Sequence, residues 1–275
     1  MKLKNNIYNK FVICAAALSL MACSNIDEDD RLIYVEPVEV SKHVLIEDFT
    51  GQYCKNCPNA ATVLENLQEQ YGADKVIAVA IHSGPFSKDQ VTNVPSPLWT
   101  ENGDYYYNSW KIESQPTGVI DRRTVSDTFT SWGAIVREAL QKSSPLELNA
   151  TTEYDESSHS VNINIDAKGI LDVNGKLQVW LVEDSIQNFQ VMPDASFDIF
   201  YVHNHVFRTA VNGKDGESFN IKWNEEKNVT FTAVLEKEWV AENMFVVAFV
   251  YNSDGVQQTV KVPVLAGMSE TSTNK

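Results

Sequence analysis

The sequence predicts an α/β layered domain followed by an all-β sandwich. Three observations lead there. Strand-like and helix-like segments alternate from residue 41 to about 142, apolar residues recur with period two from residue 145 onward, and Ser143-Ser144-Pro145 marks the change. The 275 residues predict roughly two domains at about 150 residues each. A hydrophobic fraction of 43% excludes a disordered chain and is ample for packed cores. Four cysteines are too few to staple a small disulfide-dense scaffold. No internal repeat of solenoid or propeller length is present.

In the first half, Val44-Leu45-Ile46 with Phe49 reads as a short strand, followed by a turn at Gly51. Ala60, Leu64, Leu67 and Tyr71 then fall on one face of a helix that stops at Gly72. Lys75 to Ile81 is a second buried strand. Residues 83–109, with Pro85, Pro95, Pro97 and Gly103, read as a loop-rich insertion, and Thr117 to Ile120 as a third strand. Trp132, Ile135, Val136, Ala139 and Leu140 form the stripe of a closing helix capped by Thr130 or Ser131.

The second half shows Val161, Ile163 and Ile165, then Leu177, Val179 and Leu181, then Val229, Phe231, Ala233 and Leu235, each alternating with other residues as in half-buried antiparallel strands. Leu146–Tyr154, His203–Ala210, Met244–Tyr251 and Val256–Val264 bring the number to about seven, which favours an immunoglobulin-like sandwich. Asn174-Gly175, Asn212-Gly213 and Asp254-Gly255 read as tight turns between strands.

The N-terminus reads as an address. Lys2, Lys4 and Lys10 precede an apolar run from Phe11 to Ala22 that is too short to span a bilayer as a helix, so residues 1–22 read as a signal peptide. Leu20-Met21-Ala22-Cys23 resembles the bacterial lipobox, which makes Cys23 the lipidated first residue of the mature chain. The alternative is ordinary secretory cleavage after Ala22. Residues 23–40 begin with the acidic run Asp27-Glu28-Asp29-Asp30 and form a solvated tether, which resembles the tags that send some lipoproteins to the outer leaflet of the outer membrane. Residues 267–275 are a polar tail.

The chain carries 22 basic and 37 acidic residues, and loss of residues 1–22 removes three lysines and no acids, taking the net charge from −15 to −18. Such a surface argues against nucleic acid as a partner, because phosphate binding needs Lys and Arg to displace condensed counterions.

With Cys14 in the signal and Cys23 assigned to lipid, the folded part holds only Cys54 and Cys57, within Tyr53-Cys54-Lys55-Asn56-Cys57-Pro58. Two cysteines separated by two residues at a helix start form a redox arrangement. The helix N-terminus and Lys55 favour the thiolate, making Cys54 the attacking nucleophile and Cys57 the resolving thiol. Three other readings use the same pair. A structural clip closing so short a loop stabilises by only ~2 kcal/mol, a zinc site needs two further ligands, and the pair can be retained without activity in a binding protein.

These residues resemble thioredoxin, and the likeness extends beyond the cysteines. Asp48 stands six residues before Cys54, followed by Phe49, and Trp110-Lys111-Ile112-Glu113-Ser114-Gln115-Pro116-Thr117 resembles the segment that ends in the cis-proline and Thr. The resemblance implies that Asp48 assists proton transfer from the resolving thiol. It also implies that Tyr53, Gln115, Pro116 and Thr117 form the surface where a partner strand pairs. Lys55-Asn56 departs from the Gly-Pro of that family, which leaves the direction of electron flow open.

The chain as a whole, lipobox, α/β half and a β-rich half containing Tyr201-Val202-His203-Asn204-His205-Val206-Phe207-Arg208, resembles the twenty-eight-kilodalton outer-membrane-protein family of Gram-negative lipoproteins, described as surface antigens or adhesins. The expected organisation is therefore a thioredoxin-like domain over 41–143 and a β-sandwich over 145–266. The chain is expected to be lipid-anchored at the outer membrane and surface-exposed, with envelope or surface proteins carrying thiols or disulfides as partners. Its expected function is thiol–disulfide exchange, and the alternative is a surface adhesin on a non-catalytic scaffold. No metal or cofactor is assigned, although His203 and His205, two residues apart on a strand, would put both rings on one face. The aromatic residues Trp99, Tyr105, Tyr106, Tyr107 and Trp110 of the insertion are expected mainly to cover its own small core.

Overall fold

The computed structural model describes residues 39–265, so the signal peptide, Cys23, most of the tether and the tail lie outside the described residues. A short strand β1 (Val40–Ser41) leads into β2 (Val44–Thr50), which is buried along its whole length. Alternation sends Val44 and Ile46 to one face and Leu45 and Phe49 to the other. Helix α1 (Cys57–Tyr71) lays Ala60, Leu64 and Leu67 on the first face. It stops where expected, at Gly72, whose φ of 99° suits glycine and whose N–H donates to Gln68 O at 2.8 Å. Strand β3 (Val76–His82) runs parallel to β2, from Val44 opposite Val76 to Thr50 opposite His82.

The insertion contains a helix that proline-rich surroundings concealed: α2 (Glu101–Ser109), capped by Thr100, whose hydroxyl accepts from Gly103 N at 3.0 Å. Strands β4 (Thr117–Ile120) and β5 (Thr124–Ser126) follow, β4 antiparallel to β2. Helix α3 (Trp132–Leu140) covers the α1 side with Trp132 and Val136. Ser131 holds its N-cap position but its side chain does not cap; the hydroxyl instead donates to Thr128 O at 2.7 Å, inside a preceding 3-10 turn.

The later strands are β6 (Ser143–Ser144), β7 (Leu146–Asp155), β8 (Ser160–Gly169) and β9 (Val173–Glu183). Four two-residue strands follow, β10 (Ile186–Gln187), β11 (Gln190–Val191), β12 (Phe197–Asp198) and β13 (Val202–His203), with β10 on β13 and β11 on β12. The chain ends in β14 (Val206–Ala210), β15 (Glu217–Ile221), β16 (Glu226–Val234), β17 (Met244–Asn252) and β18 (Gly255–Pro263). Asn212-Gly213 and Asp254-Gly255 are turns, as read. Asn174-Gly175 is not: it lies inside β9, opposite Asn220 and Phe219 of β15. Gly175 is required there for space, because a Cβ would stand 2.4 Å from Tyr251 O of the neighbouring strand.

The two halves share one sheet. Nine strands run β18-β17-β9-β14-β3-β2-β4-β5, with β15 also on β9, so pairing continues across the Ser143-Ser144-Pro145 change of pattern. The seam is β14 on β3, a parallel contact at Val206 opposite Ala80, reinforced by Ala80 N donating to His205 O at 2.7 Å. In the β-rich half two sheets pack face to face, and one of them is the far wing of this sheet. Leu177, Val179, Leu181, Val246 and Ala248 pack against Leu146, Leu148, Val161, Ile163 and Ile165 of the separate sheet β16-β8-β7. Period-two alternation fixes which residues of a strand face inward but not which strand it pairs with.

Beneath the seam, Leu45, Phe49, Ile77, Val79 and Ile81 share a core with Trp180, Val182, Phe207, Val247 and Phe249. Tyr106 of α2 belongs to this core and accepts from Trp180 Nε1 at 3.0 Å, and Tyr105, Tyr107 and Trp110 pack against it, so these four cover the junction of the two halves instead of a small core of their own, whereas Trp99 meets Lys88 within the insertion. Glu47, fully buried on β2, accepts from Arg122 Nη2 at 2.9 Å and Nε at 3.2 Å. That guanidinium lies over Tyr251, Phe249, Trp180 and Tyr106 at 4.4 to 5.7 Å. Removing the cation while its carboxylate stays buried is expected to be severe: Arg122→Met should lower unfolding free energy in urea by about 3–5 kcal/mol, with Glu47→Gln in the same chain recovering part of the loss.

Candidate functional site

The cysteine pair sits where β2 gives way to α1. Cys54 lies in the turn and Cys57 is the first residue of the helix, with Pro58 in its first turn where the missing N–H has no consequence. Cys54 and Cys57 are joined as a disulfide. The turn is pinned from below: Tyr53 N donates to Phe86 O at 2.9 Å, and Gly51 passes so close that a Cβ there would stand 2.4 Å from the same oxygen.

Asp48 is on the face of β2 that α1 covers, in line with Val44 and Ile46, six residues before Cys54. It is 2% exposed, and its Oδ1 has no hydrogen-bond partner. Burial alone pushes its carboxyl up to about 7. A group so placed can hold or release a proton near neutral pH, which most carboxylates cannot do.

Gln115, Pro116 and Thr117 reach the same end of the sheet, since Thr117 opens β4 opposite Phe49. The Gln115–Pro116 bond is cis. Gln115 Nε2 donates to Thr50 O at 2.7 Å and Ser83 O at 3.0 Å, tying the ends of β2 and β3 to the approach to β4. Tyr53 is half-buried, its hydroxyl donating to Asp89 at 3.3 Å and its ring edge-on to Phe189 at 5.2 Å. The structure thus brings Cys54, Cys57, Asp48, Tyr53, Gln115, Pro116 and Thr117 to one end of the sheet.

Sequence reading missed the other wall. The segment between β9 and β14 lies against the turn: Val191 N donates to Gln52 O at 2.8 Å, Gln52 Nε2 to Phe189 O at 2.8 Å and Asn188 Oδ1 at 3.0 Å, and Gln190 Nε2 to Cys54 O at 2.9 Å. Both cysteines are covered, at 2% and 3% exposure. Isolated polar residues such as Gln52 and Gln190 carry no periodic signal, and their contacts span about 140 residues of sequence.

The two histidines separate instead of sharing a face. His205 has φ of 59°, which ends the extended run, and its ring meets Asp184 at 3.0 Å and Gln68 at 3.0 Å. His203 turns inward onto His82, ring centres 5.2 Å apart, and burial pushes it down to about 4. Among the described residues no group of three or more His, Cys, Asp or Glu is placed to hold a metal.

Asp48 yields a pH test whose sign is fixed. A carboxyl raised on folding binds its proton more tightly in the native state, so it makes stability fall as pH rises from about 4 toward 7, then level off. Asp48→Asn should therefore exceed the parent in urea stability at pH 8 by up to roughly 4 kcal/mol, and the difference should vanish near pH 4.

No curated protein matches the chain in sequence. Among solved structures, HBP35 of Porphyromonas gingivalis is similar in fold, with a TM-score of 0.66 at 15% identity over 86% of this chain and 79% of that one. A domain of the outer membrane lipoprotein Omp28 from Porphyromonas gingivalis is 27% identical, covering 44% of this chain and 88% of that one, with a TM-score of 0.33. The model of the family described as outer membrane protein Omp28 matches residues 103–266, more than half of the sequence. The chain belongs to the outer membrane protein Omp28 family.

Proposed function

We propose that this protein is a lipid-anchored thiol–disulfide oxidoreductase of the cell envelope, with the α/β half serving as a thioredoxin-like unit. The observation that carries the reading is the convergence of a cysteine pair at a helix start with a buried carboxyl titrating near neutrality. In the reduced form, the Cys54 thiolate attacks a partner disulfide, forming a mixed disulfide and expelling one partner thiolate. Cys57 then loses its proton with the help of Asp48 and attacks Cys54 Sγ. This closes the Cys54–Cys57 bond, releases the second partner thiolate and passes two electrons to the partner. Run backward, the same steps oxidise a partner dithiol. Tyr53 and Gln115-Pro116-Thr117 flank the pair and would receive the partner's extended chain.

A second reading is favoured by one specific observation, the burial of both cysteines. It makes the disulfide a fixed part of a scaffold and assigns binding of surface partners to the β-rich half. The reduction potential separates the two. Equilibrated with glutathione or dithiothreitol and read by thiol labelling, the pair is expected between about −120 and −270 mV, the span from strong oxidants to thioredoxin. A value below about −300 mV would establish the scaffold reading instead.

The anchor has its own test. Cys23→Ala should abolish incorporation of labelled palmitate and move the protein from the membrane fraction to the soluble one, since one anchored lipid site is what the lipobox supplies. Labelling that persists would reject lipidation at Cys23.

A further inference from the structure

The same burial that favours a scaffold has a specific source, and its construction is that of a hinged cover. Residues 185–204 lie across the Gly51–Cys54 turn, yet only Gln190 and His203 among them are buried. The segment is held mainly by polar contacts, Val191 N to Gln52 O, Gln52 Nε2 to Asn188 and Phe189, and Gln190 Nε2 to Cys54 O and Gly51 O, with two ring contacts beside them, Phe189 on Tyr53 and His203 on His82. Its own pairing consists of two-residue strands. Phe197, Ile199, Phe200 and Val202 are 49–67% exposed, and no residue of the segment belongs to any of the three hydrophobic cores. Elements with few buried apolar contacts open at low free energy without unfolding the rest.

The two ends complete the description. Ser185 and His205 both have positive φ, 61° and 59°, and they stand side by side, with Ser185 N donating to Asn204 at 2.9 Å and His205 meeting Asp184 at 3.0 Å. Immediately beyond them the chain is fixed, by β9 on one side and by the Val206–Ala80 seam on the other. A backbone that turns sharply at both ends of a weakly packed segment, with rigid strands outside, is a place where φ and ψ changes can concentrate.

We propose that residues 185–204 are a hinged cap occupying the groove that an extended, cysteine-bearing partner chain would otherwise fill, so that the disulfide reacts only when the cap swings away. Gln190 and Val191 already make contacts of the kind a partner strand would make with the turn: a backbone N–H to Gln52 O and an amide to Cys54 O. This rests on the exchange reading above for its partner, but the cap itself is measurable without one.

Two measurements on the purified protein test it. In native hydrogen exchange, the Val191 amide is expected to exchange well before amides of β9 and β17, in step with its neighbours across 185–204. In reduction by tris(2-carboxyethyl)phosphine followed with a bimane label, Gln190→Ala is expected to lose its disulfide about tenfold faster than the parent. Its oxidised-to-reduced ratio at equilibrium with dithiothreitol should stay the same. Exchange of Val191 only through global unfolding overturns the proposal, as does a parental reduction rate in a folded Gln190→Ala protein. If that variant fails to fold, the exchange pattern decides alone. A scaffold-type potential together with faster reduction of Gln190→Ala overturns the oxidoreductase reading and leaves the cap standing.

Discussion

Everything in this molecule depends on the seam between β3 and β14 and the core beneath it. The direct pairing is a single parallel contact, Val206 on Ala80, too little to hold two halves together by itself. What secures it is the apolar layer in which Trp180 is fully buried among residues from both sides, with Tyr106 of the insertion closing the end. The Glu47–Arg122 pair sits in that layer. An ion pair so buried adds little net stability but tolerates few arrangements, because either charge left alone would be severely penalised. It joins β2 to the turn after β4, and its guanidinium lies against Phe249 and Tyr251 of β17.

The seam also fixes where the segment over the cysteine turn begins and ends. β9 and β14 are antiparallel neighbours with Glu183 opposite Val206, so the sheet itself needs only a short turn between them. Residues 185–204 are instead an excursion from that junction, and the cover over the disulfide is an addition to the sheet topology. Once there, the segment supplies the amides and rings that pack on Gln52, Tyr53 and His82. The depressed titration of His203 has the same origin, since the excursion drives its ring into the interior.

The site combines two features that pull in opposite directions. A buried carboxyl with an unsatisfied oxygen costs stability, and natural cores rarely keep one without a use. A covered disulfide resists exchange. The proposed exchange reading rests on the first feature and the proposed cap on the second.

The sequence by itself determined the local elements and the chemistry-bearing residues. Ala60, Leu64, Leu67 and Tyr71 give α1, Thr117–Ile120 gives β4, and Asp48 with the Cys54–Cys57 spacing marks the candidate site, because side-chain periodicity and helix-end chemistry act over a few residues. Only the tertiary structure decided that the strands of both halves would share one sheet, that Asn174-Gly175 would lie inside a strand, and that Gln190 would cover Cys54. Those outcomes depend on which distant surfaces meet: a glycine serves a turn or a close approach equally well, and a strand's pattern fixes its inward face while leaving its neighbour open.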